Sequence, residues 1–145
     1  MPIDTDADAS EVVLLDTSAA IPFIVKDHDH HDVIRAHVRG KRLGLAGHAW
    51  FESYAFLTRL SAGRRRSPAD AARILARNFP ASEFLSQAGA RQLHTELARL
   101  TISGGAVYDA LVAAAAREHG LTLVSRDARA QPTYEALGVV SEVIR

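Results

Sequence analysis

Four acidic residues stand inside or directly beside strongly apolar segments, where a carboxylate is not expected. A buried carboxylate without a partner is costly in free energy, unless its pKa rises or a cation neutralises it. Four such residues in a chain of 145 residues therefore need one shared explanation. They are Asp16, Glu52, Asp109 and Asp127.

The surroundings of each carboxylate indicate where it lies. Asp16 ends a short apolar run typical of a strand, and Asp127 follows a second such run after one intervening residue. Glu52 lies among aromatic residues of a predicted helix, and Asp109 interrupts a predicted helix rich in alanine and valine. Each residue alone has a simpler interpretation as a helix cap, a turn residue or a half-exposed helix residue. Together they favour one site that binds a cation.

The basic residues near these segments are too few to neutralise all four acids. Only Lys26 and Lys41 are lysines, and neither lies near them in sequence. Arg59 and Arg126 are closer, but two guanidinium groups do not balance four carboxylates. A divalent cation does, and hard carboxylate oxygens suit Mg²⁺ or Mn²⁺. The acids therefore predict a magnesium or manganese site.

The elements that position these acids follow from the alternation of the chain. Short apolar runs rich in β-branched residues alternate with helical segments, which is typical of a mainly parallel sheet covered by helices on both faces. We therefore predict one α/β domain with three layers, α/β/α, around a central, mainly parallel sheet. Strands are predicted at 12–15, 42–46, 84–86, 121–125 and 139–143. Helices are predicted at 19–25, 32–39, 48–60, 68–78, 90–100, 106–119 and 128–137.

This topology predicts that the acids meet at one edge of the sheet. In open α/β sheets the ligand crevice lies beyond the carboxyl ends of the parallel strands. Asp16 and Asp127 both follow predicted strands, so they belong at that edge. Asp109, one turn into its helix, can face the same rim, whereas the position of Glu52 depends on how its helix packs.

Composition restricts the remaining possibilities. The chain has no cysteine, which excludes disulfides, thiolate metal sites and a cysteine nucleophile. No apolar run approaches the roughly 20 residues that span a bilayer, so we expect a cytoplasmic protein without a membrane segment. Residues 1–11 are predicted to form an acidic tail, and residues 12–145 the folded domain.

The order of these motifs resembles that of the PIN-domain ribonucleases, specifically the small VapC-type toxins of bacterial type II toxin–antitoxin pairs. The resemblance covers nearly the whole chain after the acidic tail. Its motifs are weak one by one, and their order and spacing make the likeness specific. The matching segments are 13–19, Glu52, 108–115, 123–127 and 134–139.

The resemblance implies an endoribonuclease that depends on Mg²⁺ or Mn²⁺. It also implies a homodimer and a cognate antitoxin that inhibits the active site. Asp16, Glu52, Asp109 and Asp127 carry over as the catalytic, metal-binding quartet, and we expect Asp16 and Asp109 to be the most direct ligands. The metal would activate a water molecule that attacks the phosphodiester bond of RNA.

Neighbouring residues are expected to support the quartet. On the same resemblance, Thr17, Ser18 and Ser125 orient the site by hydrogen bonding. Ser125 stands where threonine is commoner in the family. Neither this nor the acidic tail disturbs the four acids.

Arginines near the acids are candidates for binding RNA. Arg126 and Arg129 flank Asp127, and arginine commonly binds single-stranded RNA. A compact basic run is a second candidate, although a solvated turn between helices explains it equally well. This run is Arg64, Arg65 and Arg66.

Other enzyme classes with aspartates at strand ends fit the chain poorly. Haloacid-dehalogenase phosphatases need Asp-x-Asp after the first strand, and both they and response-regulator receivers need a late lysine. Here Asp16 is followed by Thr17 and Ser18, and no lysine follows Lys41. The glycine-rich motifs of nucleotide-binding folds are also absent from the sequence. The alternative that remains is a PIN-like module that binds protein or RNA without catalysis.

Overall fold

The computed structural model describes residues 10–145, so most of the acidic tail predicted at residues 1–11 lies outside the described residues. Within 10–145, no helix is both long and apolar enough to cross a bilayer. The strands are β1 (Val12–Leu15), β2 (Arg42–Leu45), β3 (Thr122–Ser125) and β4 (Ser141–Val143). The helices are α1 (Thr17–Ile24), α2 (His31–His37), α3 (His48–Thr58), α4 (Pro68–Asn78), α5 (Gln87–Arg99), α6 (Ala106–Glu118) and α7 (Gln131–Ala136).

The four strands form one parallel sheet in the order β2-β1-β3-β4. The central strand β1 pairs with β2 through Val13 opposite Leu43 and with β3 through Leu14 opposite Leu123. Since β1 and β3 are neighbours running the same way, the residues that follow them meet at one edge. This confirms the predicted α/β fold with a parallel central sheet.

Alternate side chains of β1 enter two different apolar layers. Val13 and Leu15 pack with residues of α1, α2, α3 and α4, whereas Leu14 packs with residues of α5, α6 and α7. All three leucine and valine side chains are almost completely buried. A strand buried on both faces explains why this segment reads as an unbroken apolar run.

The outer edge of β2 is covered by the segment 81–83. The amide of Ala81 donates to the carbonyl of Leu43 at 3.0 Å, and the amide of Glu83 donates to that of Leu45 at 3.2 Å. This approach requires a glycine on β2, since a Cβ at Gly44 would lie 2.2 Å from the carbonyl oxygen of Ala81. The edge is therefore closed by the chain itself.

The prediction of a strand at 84–86 is wrong. Only Glu83, directly before it, makes a single parallel bridge, with Ala46. Ser86 instead caps α5, because its side chain accepts from the amide of Gly89 at 3.0 Å. That cap also starts α5 earlier than the predicted residue 90.

The helix predicted at 128–137 is divided in two. A 3-10 turn at Ala128–Ala130 precedes α7, and the side chain of Asp127 caps the turn by accepting from the amide of Arg129. Asp127 therefore lies between the end of β3 and this turn.

Candidate active site

The carboxyl ends of β1 and β3 open into a cleft of about 690 Å³ that contains three of the four predicted acids. Asp127 follows β3, Asp109 lies in the first turn of α6, and Glu52 lies in the middle of α3. Asp16, directly after β1, is 5% exposed and lies beneath them. The cleft is lined by Thr17, His48, Glu52, Ala55, Phe56, Arg59, Gly105, Ala106, Tyr108, Asp109, Asp127 and Arg129.

Asp16 is held by donors on both of its carboxylate oxygens. Oδ1 accepts from the Ser18 hydroxyl at 2.6 Å and from the amide of Ala19 at 3.2 Å, so the residue also caps α1. Oδ2 accepts from the Tyr134 hydroxyl at 2.7 Å. Burial raises the pKa of Asp16, while hydrogen bonds, first of all that from Ser125, oppose the rise. The carboxylate is therefore fixed in position.

Two serines join the ends of β1 and β3. The hydroxyls of Ser18 and Ser125 lie 3.4 Å apart. Ser18 also accepts from the amide of Arg126 at 2.8 Å, and Ser125 accepts from the amide of Asp127 at 3.0 Å. These hydrogen bonds hold the turns that follow β1 and β3 next to each other.

Glu52 reaches the cleft from α3, beside His48 and Thr17. His48 Nε2 lies 3.4 Å from Glu52 Oε1, one helical turn away. Partial burial raises the pKa of Glu52, and the charge of Asp16 adds to the rise, while His48 and a hydrogen bond from Thr17 oppose it. Thr17 thus acts on Glu52, and its hydroxyl also lies 3.5 Å from the carbonyl oxygen of Ala49.

The pKa of Asp109 shows the electrostatic interaction among the four acids. Burial raises its pKa to about 6, and the charges of Asp127, Glu52 and Asp16 add to the rise. The guanidinium of Arg129 is the opposing charge. It also approaches Asp127, with Nε 3.4 Å from Oδ1, but its side chain is largely exposed. The acid cluster therefore has a deficit of positive charge.

The chemistry of this donor set fits a hard divalent cation. Carboxylate oxygens are the ligands that Mg²⁺ and Mn²⁺ prefer, and a cation would offset the repulsion that, together with burial, raises the pKa of Asp109. Within the described part of the chain, no three histidine or acidic side chains converge closely enough to form a ready-made ligand set. The acids surround the cleft rather than a single point.

The arginines predicted to bind RNA lie in three different places. Arg129 lines the cleft, whereas Arg126 contributes its backbone amide to Ser18 and has a buried Nε without a hydrogen-bond partner among the described residues. The basic run lies between α3 and α4, where Arg64 and Arg66 line a second groove. Arg64 pairs there with Asp27 at 3.0 Å. These placements associate only Arg129 directly with the acids.

The sequence interpretation missed the role of Tyr134. This residue lies in α7, far from Asp16 in sequence, and is 1% exposed. One signal was present, since a buried tyrosine hydroxyl usually requires a hydrogen-bond partner. Nothing in the local sequence identifies that partner as a carboxylate after the first strand.

The chain matches the family pattern described as the PIN domain over residues 13–135. Among curated proteins it is 48% identical over 125 residues to Ribonuclease VapC27 of Mycobacterium tuberculosis, covering 86% of this chain and 91% of that protein. It is 38% identical over 134 residues to Ribonuclease VapC40 of the same species, covering 89% and 96%.

Solved structures share the fold at lower sequence identity. The M. tuberculosis toxin VapC20, described as cleaving the sarcin–ricin loop, superposes with a TM-score of 0.66 at 20% identity over 88% of this chain and 96% of its own. Rickettsia felis VapBC2, bound to a promoter DNA fragment, gives 0.66 at 16% identity over 92% and 99%. FitAcB of Neisseria gonorrhoeae gives 0.61 at 16% identity over 89% and 95%. At these identities the likeness concerns the fold alone.

Proposed function

The chain belongs to the PIN-domain family and to its VapC group, and on that premise we propose that it is a metal-dependent endoribonuclease and the toxin of a toxin–antitoxin pair. The observation that carries the proposal is the cleft at the carboxyl ends of β1 and β3, where three acids line the wall, Asp16 lies buried beneath them, and positive charge is too small to balance the four. Its relatives VapC27 and VapC40 are named ribonucleases.

The quartet would hold Mg²⁺ or Mn²⁺, with Asp16 and Asp109 as the most direct ligands and Glu52 and Asp127 acting through water or positioning the nucleophile. When bound, the metal would polarise a phosphoryl oxygen and lower the pKa of a water molecule. Oδ1 of Asp16 accepts two hydrogen bonds and Oδ2 accepts one. Because an ionised carboxylate has about two lone-pair sites on each oxygen, Oδ2 retains one site that a cation could use.

The chain's own residues supply preorganisation. Ser18, Ala19 and Tyr134 fix the carboxylate of Asp16, so it needs no reorientation when a cation arrives. Ser18 and Ser125 keep the turns after β1 and β3 together. Rigid support of this kind is what metal ligands require for a defined geometry.

The negative charge of the cleft means that RNA needs cationic side chains to bind there. Four carboxylates repel phosphate, so the substrate needs cationic contacts at the rim. Arg129 and Arg59 both line the cleft and are both exposed. We propose that they contact phosphates on either side of the bond that is cut, while Arg64, Arg65, Arg66 and Arg126 are secondary candidates.

The partner of the proposed toxin is an antitoxin. Among structures that share this fold, VapBC2 and FitAcB support such a partner. The homodimer and the cytoplasmic location follow from the family resemblance and are proposed on that basis.

The proposal is tested by incubating the purified, antitoxin-free chain with a panel of structured RNAs in Mn²⁺, Mg²⁺ or EDTA. Asp16→Asn should abolish cleavage without unfolding the protein. Asp70→Asn is the matched control, because Asp70 is an exposed acid that pairs with Arg73 on α4. It should cut like the unaltered chain.

Two results would contradict the proposal. Cleavage that persists in EDTA would contradict the proposed metal dependence, and cleavage that persists in Asp16→Asn would contradict the role proposed for Asp16. A folded protein that neither cuts RNA nor gains thermal stability from Mn²⁺ would instead be a binding module that has lost catalysis, since a ligand specific for the native state raises its stability.

A further inference from the structure

One side of the acidic cleft is formed by two stacked aromatic rings. His48 on α3 and Tyr108 on α6 have ring centroids 5.2 Å apart and planes inclined by 17°. Both line the cleft that contains Glu52, Asp109 and Asp127. The pair therefore lies at the site proposed for the metal and forms part of its wall.

The exposure of Tyr108 is not explained by packing. Tyr108 is 55% exposed, whereas Tyr134 is 1% exposed and uses its hydroxyl on Asp16. Tyr108 also occupies the position directly before Asp109 in the first turn of α6. A large, half-exposed ring held flat by a second ring is a preformed surface for stacking.

The electrostatics of the cleft make such a surface useful. Phosphates approaching the acids are repelled, and the exposed arginines Arg59 and Arg129 compensate only in part. Stacking of a nucleobase on an aromatic ring does not depend on charge and contributes about 1–3 kcal/mol per base. A base in a duplex is stacked within the helix and cannot reach the ring, while an unpaired base can.

We infer that Tyr108, supported by His48, is a stacking platform for an unpaired nucleobase of single-stranded RNA beside the phosphate that is cut. The inference rests on the proposed ribonuclease function and adds the two side chains that would receive a base of the substrate. His48 holds the platform in place, because it contacts Tyr108 on one side and lies 3.4 Å from Glu52 on the other.

The first experiment measures binding of a fluorescein-labelled, single-stranded oligoribonucleotide of mixed sequence by anisotropy, in an Asp109→Asn background that prevents cutting. Adding Tyr108→Ala should weaken binding by about 5- to 150-fold, which corresponds to the loss of one stacked base. Tyr108→Phe and Tyr108→Trp should remain within about twofold, because they keep the ring face. The same RNA annealed to its complement should bind all variants equally.

A matched control is available on the same surface. Phe51 is 56% exposed on α3 but does not line the cleft. Phe51→Ala should leave RNA binding and cleavage unchanged. A loss in Phe51→Ala equal to that in Tyr108→Ala would show a general effect of exposed aromatic residues and would overturn the inference.

A second experiment locates the base. Oligonucleotides with one abasic position at a time are tested against the chain with Tyr108 and with Tyr108→Ala. At one position, the abasic site should lower the affinity of the Tyr108 protein as much as Tyr108→Ala lowers it for the intact RNA. The two changes together should lower the affinity no more than either change alone. Additive losses at every position would overturn the inference.

The outcomes separate this inference from the proposed function. If the unaltered chain cuts RNA in Mn²⁺ and Tyr108→Ala cuts with the same KM and kcat, only the stacking platform is wrong. If Tyr108→Phe loses as much as Tyr108→Ala, the hydroxyl rather than the ring face is responsible, and the platform is again wrong. If the unaltered chain neither binds nor cuts RNA, the proposed function fails and the platform fails with it.

Discussion

The two ends of α6 carry opposite electrostatic arrangements. Near its C-terminus, Arg117 donates to both carboxylate oxygens of Glu96 on α5, at 2.7 and 2.9 Å, and these hydrogen bonds hold the pKa of Glu96 below its ordinary value. Near its N-terminus, burial and three neighbouring acids raise the pKa of Asp109 to about 6. One helix thus supports a neutralised carboxylate and an unneutralised one.

The difference separates an acid paired with an arginine from acids that repel one another. Glu96 is 8% exposed and fully paired, and Arg117 also donates to the carbonyl of Leu137 at 3.0 Å, so this ion pair ties α5, α6 and the end of α7 together. At the other end, burial and the neighbouring acids raise the pKa of Asp109, so the ionised forms of these carboxylates are disfavoured in the fold. Carboxylates gathered at the cost of stability indicate binding rather than packing.

The largest effect is expected from Asp109→Asn at the unneutralised end. Cleavage should fall by at least about 100-fold, since a metal supplies several kcal/mol of transition-state stabilisation. The rise in melting temperature with Mn²⁺ should disappear, while the protein in EDTA should gain about 1 kcal/mol through relief of repulsion. Thermal melts with and without Mn²⁺ check this result, with Asp70→Asn as the control. A variant less stable than the unaltered chain in EDTA would contradict it.

Tyr134→Phe tests the support beneath the cluster. Loss of the hydroxyl that fixes Asp16 Oδ2 should reduce Mn²⁺ affinity or cleavage by about 10- to 100-fold, as is typical of residues that orient metal ligands. Titration of the thermal shift with Mn²⁺ measures the affinity independently of catalysis. Unchanged affinity would make the hydrogen bond a packing feature only.

Arg117→Ala tests the neutralised end. Leaving Glu96 without its bidentate partner should lower the free energy of unfolding by about 1–3 kcal/mol. The folded fraction should cut RNA at the normal rate, because the pair does not line the cleft. Urea unfolding measures the loss, and Glu96→Leu combined with Arg117→Met should recover most of it. A metal-binding defect in Arg117→Ala would show that the two ends are coupled.

The smallest effect is a dependence on pH. The pKa of Asp109 is about 6 in the folded state and has its ordinary value of 3.8 in the unfolded state, so the folded state binds the proton more tightly. Its contribution to stability is therefore full below pH 3.8 and is lost as pH rises through about 6. In EDTA, the stability difference between the unaltered chain and Asp109→Asn should change by about 1 kcal/mol between pH 5 and 7.5, allowing for partial exposure. Saturating Mn²⁺ should reverse the trend, because the metal binds the ionised form.

Local signals predicted most of the fold. The helix predicted at 68–78 is α4, which begins at Pro68, and the side chain of Ser67 caps it by accepting from the amide of Asp70 at 3.2 Å. The aspartates after β1 and β3 were predicted at one sheet edge for a topological reason, and parallel pairing of the two strands brings them there. Such features depend on neighbouring residues and on strand direction, both of which can be read from the sequence.

Contacts between distant residues were not predictable in the same way. The bond from Tyr134 to Asp16 and the pair between Arg117 and Glu96 depend on how helices settle on the sheet. The wrong strand prediction near Phe84 has a related cause. The apolar residues there suggested a strand. In the structure, Glu83 makes one backbone bridge with Ala46, and Ser86 caps α5 three residues later.

The closed edge of β2 limits how another protein can recognise this one. Three of its outward groups, the carbonyls of Leu43 and Leu45 and the amide of Leu45, bond with the segment 81–83, and Gly44 lets that segment lie against the strand. An incoming peptide cannot extend the sheet there without displacing a piece of the chain itself. At this side of the molecule, a partner must therefore bind side chains and helix surfaces. The same cover keeps the edge of β2 from pairing with a strand of another molecule.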